Sequence, residues 1–296
     1  FVKVRLGVQN TYHEHTESTR SGMTGENITL NAGRDVKLVG GTNAAANNEL
    51  NISAGRDFAL ESAQDTSKDT SSGGGVSVGY GSTGWQVGVD ANYSNSDELK
   101  HGNGSLSAQQ VNLTTGRDAT ITGGNIEAIN ASLDIGNNLT ITSEQDEKHS
   151  MSVSASASTG ASGVSASFSS TDIEQVKQQA GIHTTNALDI QVGNHTQLTG
   201  ALLNSDSGNL NLETQTLTLT DITNTSESVS VSASTGGGAA GAVMSVAGGL
   251  MASGKDETTT YSAIGAGNIT VRDDAITGND SVSNIRRDVT NTNEQV

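Results

Sequence analysis

The feature that most constrains this chain is a nested repeat. The text GRDVKLVGGTN follows ITLNA, GRDATITGGN follows VNLTT, and GNHTQLTGALL follows LDIQV. The leading glycines Gly33, Gly116 and Gly193 recur about every 80 residues, and a shorter echo lies about 20 residues into each long copy. The echoes are NISAGRDFALES and DIGNNLTITSE, which bring in Gly55 and Gly136; in the third copy LNLETQTLTLTD takes that place without the glycine. A weaker fourth copy starts at Gly267-Asn268-Ile269-Thr270-Val271. A step of about 20 residues, read as strand-turn-strand-turn, cannot bury its inward face alone and must stack on its neighbours at ~4.8 Å. An all-β fold, a parallel β-solenoid of roughly eight to ten coils, is therefore expected.

Alternation supports this reading over disorder. Ile28-Thr29-Leu30, Leu50-Asn51-Ile52, Val111-Asn112-Leu113, Leu139-Thr140-Ile141 and Leu217-Thr218-Leu219 keep a period of two. The expected inward side chains are Ile28, Leu30, Val36, Leu38, Ile52, Leu60, Ile121, Ile135, Leu139 and Ile141. A narrow interior suits such aliphatics and agrees with an aromatic content of 3%. Gly33, Gly55, Gly116, Gly136 and Gly193 are expected to supply a positive φ at the turns. The triplets Gly33-Arg34-Asp35, Gly55-Arg56-Asp57 and Gly116-Arg117-Asp118 predict a turn with a local Arg–Asp pairing.

The coil pairs are expected over 25–61, 103–143, 181–225 and 263–296 of a single repeat segment, 1–296. Between them the pattern changes over 62–102, 144–180 and 226–262, each with two alternating strands around a Gly/Ser/Thr turn, the signature of a projecting β-hairpin. The first carries an apolar stripe, Val76, Val78 and Tyr80, then Trp85, Val87, Val89 and Tyr93. Such a stripe packs on the coils or on a neighbouring hairpin, or it contacts lipid or a partner, because alternating strands of ~10 residues also describe membrane β-barrels. Asp172 to Lys177 has helical spacing and predicts a short helix after the second hairpin. The start, through about Gln9, reads as the returning strand of an earlier hairpin, and both ends read as cut from a longer protein.

Charge and composition remove several function classes. The net charge of −17 repels a nucleic-acid backbone, and no run of ~18 apolar residues makes a membrane helix. The absence of cysteine excludes a disulfide scaffold. With the absence of proline, it also suits a chain that crosses an oxidising compartment unfolded; drift in repeat composition is the simpler alternative. His13-Glu14-His15 places its histidines and carboxylate on opposite strand faces, so it is a poor metal site. An enzyme acting on acidic polysaccharides would need a basic groove, yet only 15 Lys and Arg are present, with one adjacent pair, Arg286-Arg287. No enzyme activity, small-molecule substrate, cofactor or metal is expected.

The nested texts GENITLNAGRDVKLVGGTN…LNISAGRDFALESAQD and QQVNLTTGRDATITGGN…LDIGNNLTITSEQD resemble the second repeat region of filamentous haemagglutinin. That region occurs in exoproteins of two-partner secretion systems, and the likeness is strongest to CdiA-type contact-dependent growth-inhibition effectors. It covers about 20–295. The resemblance implies a right-handed parallel β-helix exported through an outer-membrane two-partner-secretion transporter. It implies a secreted or cell-surface location, periplasmic before deployment, and a role at the target-cell outer membrane in helping a toxin cross. It brings no catalytic residues. A passive adhesin or haemagglutinin shaft is the alternative.

Overall fold

The computed structural model describes residues 2–40, 43–82, 84–159, 163–235, 250–274 and 282–296. Its stacked body is two parallel sheets that share one core. The longer sheet runs through Gly22–Ala32, Asn43–Ala54, Gly104–Thr115, Gly124–Ile135 and Gly181–Val192. It continues through the split strand Leu202–Ser205 and Asn209–Thr214, and ends on Ala263–Ile264 and Gly267–Val271. The shorter sheet stacks Val36–Leu38, Phe58–Glu61, Ala119–Thr122, Leu139–Thr142, His195–Thr199 and Thr216–Thr220. The fold is all-β and consistent with a solenoid-like architecture.

Among the described residues there are six two-strand units and a seventh with only its long-sheet part, fewer than the repeat count suggested. Of the fourth pair expected over 263–296, residues 275–281 lie outside the described residues. Aliphatic alternation stops at Val271, and the chain there forms a 3-10 turn at Val282–Asn284. It then runs back along the base of the hairpins. Asn293 and Gln295 donate to the Val176 carbonyl, and the Thr292 hydroxyl donates to Gln179.

Register turns the sequence repeat into columns. Leu30, Ile52, Leu113, Leu133, Ile190, Leu212 and Ile269 are stacked neighbours, as are Leu38, Leu60, Ile121, Ile141, Leu198 and Leu219. Ile52, Leu60, Ile121, Ile135, Leu139 and Ile141 are buried in the core; Ile28, Leu30, Val36 and Leu38, in the end unit, pack against it half-buried. Each fully buried Leu or Ile contributes roughly 1.5–3 kcal/mol. Phe58 is accommodated because Ala119 is its neighbour in the column.

The glycine column works by close approach rather than by φ. Positive φ is found at Gly123 (59°) and Gly200 (55°), at the opposite corner, and not at Gly33, Gly55, Gly116, Gly136 or Gly193. A Cβ on Gly55 would lie 2.3 Å from the Gly33 carbonyl oxygen. On Gly116 it would lie 2.2 Å from that of Gly55, and on Gly193 2.1 Å from that of Gly136. Backbones stacked this closely leave no room for a side chain.

The hydrogen-bonded Arg–Asp pairing is likewise between units, and the local pairing is confined to a long Arg34–Asp35 ion pair. The Arg56 guanidinium grips Asp35 of the unit before it (3.0 and 2.7 Å), and Arg117 grips Asp57 (3.0 and 2.6 Å). Stacking brings each Arg over the preceding Asp, whereas Arg34 and Asp35, adjacent in one turn, stay 3.9 Å apart. The ladder continues through Asn137 to Asp118 and Asn194 to Asn138. The guanidiniums hold the Asp35 and Asp57 carboxyls below the usual carboxylate range.

The hairpins do not project separately. The lead strand Val2–Thr16, the first arm (Ala63–Gly81, Gly84–Gly102), the second (Asp146–Ser158, Val164–Gln175) and the third (Ile222–Thr235, Leu250–Thr260) pair in that order. They form one seven-stranded antiparallel sheet. The helix expected over 172–177 is instead strand as far as Gln175, because this segment pairs with Asp146–His149 on one side and Thr225–Glu227 on the other. Two ladders outweigh a six-residue helical spacing.

G116A should lower stability by about 3 kcal/mol, because the obstacle is backbone. G33A, with nothing within 4 Å of its Cβ position, should change it by less than about 0.5 kcal/mol. Denaturant unfolding of both variants checks this.

Candidate partner- and membrane-facing sheet

Opposed residues of an antiparallel pair share a face, so the registers define rows across the arm sheet. One row is Leu6, Val76, Val89, Ala157, Val164; another is Tyr93, Val153, Phe168, Val231. At the tip Val4, Val78 and Val87 align, then Val2, Tyr80 and Trp85. All seven stripe residues anticipated from sequence therefore lie on one face. They are exposed and not packed on the stacked body: Trp85 at 72%, Tyr80 at 57%, Val76 at 50%, Val89 at 49%, Val87 at 41%, Val78 at 40% and Tyr93 at 39%. The Tyr80 and Trp85 rings meet edge to face, 5.3 Å between centroids.

The sheet extends this face well beyond the first arm. Val2, Val4, Leu6 and Val8 on the lead strand, with Val153, Val164 and Val229 on the later arms, are exposed on the same side. The alternation at Val2, Val4 and Leu6 was the available signal. Nothing in one strand's pattern shows that it will lie beside Val76 and Val78.

The other face is small and polar. Ser152, Ser154 and Ser156 hydrogen-bond across to Ser169, Ser167 and Ser165 at 2.7–2.8 Å. Arg5 bonds to Asp90, and His13 bonds to Asp69. Glu14 lies on the opposite, apolar-bearing face, where it accepts from the Tyr12 hydroxyl, so His13-Glu14-His15 converges on nothing. Among the described residues no group of three or more His, Cys, Asp or Glu is placed to hold a metal ion.

Toward the base, the apolar face ends on a charged row. Glu14, Lys68, Asp97, His149, Asp172, Glu227 and Lys255 are successive neighbours, one from each of the seven strands. Part of this row lines an open groove of about 480 Å³. Lys255 bonds to Glu227 and Glu257, both at 2.9 Å, which raises its pKa. The hydrogen bond that His149 donates to the Asp172 carboxylate and the charge of that carboxylate, with a smaller contribution from Asp97, push His149 above its usual value.

A model of the haemagglutinin repeat matches residues 7–157, just over half of the chain. The chain belongs to the haemagglutinin-repeat family. It is similar to the toxin CdiA of Escherichia coli, 30% identical over 92% of this chain and 10% of that protein. The deoxyribonuclease CdiA of Yersinia pseudotuberculosis serotype O:3 (strain YPIII) is 30% identical over 100% of the chain and 32% of that protein. The tRNA nuclease CdiA of Escherichia coli O6:K15:H31 (strain 536 / UPEC) is 30% identical over 90% of the chain and 9% of that protein. The haemagglutinin-repeat chain spans about a tenth of the first relatives it matches. No solved structure matches it.

Because the folded-state pKa of His149 is raised, its bond to Asp172 stabilises fully below the ordinary value of 6.5, and that stability is lost as pH rises through the raised value. The Tm difference between the native chain and H149N should be largest below pH 6.5 and should shrink above it. Thermal melts across pH check this.

Proposed function

We propose that this chain is a non-catalytic repeat segment of a secreted bacterial contact-dependent growth-inhibition exoprotein, and that its arm sheet engages the outer membrane of the target cell and assists toxin translocation. Export through an outer-membrane two-partner-secretion transporter and a right-handed winding of the stacked units belong to the same proposal. The location is then the cell surface, periplasmic before deployment.

The observation that carries the reading is the exposed apolar face of the seven-stranded sheet. A contiguous face bearing Val, Leu, Tyr and Trp on several strands is not left open to water without a partner. Alternation of apolar residues with Ser and Gly is the pattern of a membrane β-strand, whose outer face meets lipid and whose inner face is polar. Moving each large apolar side chain from water into hydrocarbon contributes roughly 1.5–3 kcal/mol. Lipid leaves no strand edge unpaired, so a spanning form has to pair the Val2–Thr16 and Leu250–Thr260 edges with further strands or with each other. The similar proteins are a toxin, a deoxyribonuclease and a tRNA nuclease by name, and each is alike to this chain over the repeat. That supports a task common to them rather than a particular chemistry.

The native chain should shift Trp85 emission to the blue in the presence of outer-membrane vesicles, and membrane-restricted quenchers should quench it. V78D/V87D should reduce vesicle binding about tenfold or more, because two adjacent carboxylates enter the apolar face. Both positions are exposed, so Tm should stay within a few degrees. Unchanged vesicle binding by the variant, or no response of Trp85 in the native chain, would favour a passive adhesin shaft.

A further inference from the structure

The arm sheet has a direction. Along the strand Gly84–Gly102, Tyr93 and Trp85 are eight residues apart, which spans about 27 Å at ~3.4 Å per residue. That matches the ~25 Å apolar band of outer-membrane strands, which is bordered by aromatic residues at both interfaces. Here Tyr93 and Phe168 share the row at one border, and Tyr80 meets Trp85 at the other. Toward the base, one mixed row follows, with Tyr12, Asn95 and Ser170, and then the charged row. The charged row stands about 14 Å below Tyr93. Above the Tyr93 level the opposite face is mostly Ser and Gly, with Arg5 bonded to Asp90 and with Lys3 near the tip.

Resting on the membrane reading above, we propose that the arm sheet enters a bilayer upright and tip first, with the Tyr80–Trp85 turn reaching the far interface, and that the charged row is the stop that fixes its depth. The charged row lies on the same face as the apolar residues. A sheet lying flat would press Asp97, Asp172 and Glu227 toward the hydrocarbon along with Val87 and Val89. An upright sheet keeps those carboxylates outside the hydrocarbon, on the water side of the near interface, and on this face places only the apolar band in the core; at that depth the opposite face carries Arg5 paired with Asp90. The stop acts on all seven strands at one level, because the register puts one charged or titratable side chain from each strand in that row.

Depth-resolved quenching tests this. Vesicles of phosphatidylcholine and phosphatidylglycerol would carry acyl chains brominated either near the headgroup or near the chain end. Three single-tryptophan chains would be compared: the native chain, W85F/V89W and W85F/Y12W. Upright entry predicts that V89W is quenched most by bromine near the chain end. Trp85 is quenched by shallow bromine yet shielded from iodide outside the vesicle, and Y12W stays open to iodide. Equal shallow quenching of Trp85 and V89W, with Trp85 open to iodide, would mean a flat sheet; it would overturn upright entry while leaving the lipid reading standing. Absence of bromine quenching at all three positions would overturn both. Adding D97N/D172N/E227Q to the Y12W chain should then cause loss of iodide quenching, as the neutralised row slides inward. Unchanged iodide quenching would overturn the charged row as the stop.

Discussion

In-register parallel stacking is the constraint on which the rest of this structure depends. Once units lie ~4.8 Å apart with equivalent residues superposed, every position in the repeat becomes a column of like neighbours. Aliphatic columns close the core. A column of glycines allows backbones to touch where any Cβ would strike a carbonyl oxygen at little more than 2 Å. A column of Arg and Asp becomes a ladder between units, each Arg meeting the Asp below it.

The same spacing explains why the arms fuse into one sheet. An arm leaves the body after every second unit, and successive exits are therefore about 10 Å apart. An arm consists of two strands, which occupy about the same width in a sheet. The arms therefore meet edge to edge without a gap, and the pairings Glu147 with Leu99 and Glu174 with Thr225 join arm to arm. Each repeat that adds two units adds two strands. The apolar face thereby widens in step with the body and keeps one level for its aromatic rows and its charged row.

The core was legible in the sequence because alternation is local. Ile52, Leu60, Ile121 and Ile141 declare their inward direction within five residues, and the structure buries them. The stripe from Val76 to Tyr93 was legible for the same reason. What alternation does not contain is the identity of the neighbour. The triplet spacing pairs Arg56 with Asp57 of its own turn, while its partner, Asp35, is 21 residues earlier in the chain. Asp172 to Lys177 has helical spacing, but strands on both sides hold it extended through Gln175. The charged row joins residues from Glu14 to Lys255, a span no local pattern covers.

The repeat length, the two-residue alternation and the scarcity of large aromatics determined by themselves that this chain stacks as β-strands around an aliphatic core, since only stacking buries the inward face of so short a unit. Whether a stripe on a hairpin would be covered, and by what, was open, because an amphipathic strand presents the same pattern beside protein or solvent. The pairing of arm with arm resolved it. Backbone groups where one arm borders another are satisfied by the neighbouring arm, and only the outer edges of Val2–Thr16 and Leu250–Thr260 stay open, so the arms have no need to fold down onto the body, and their apolar faces stay open together.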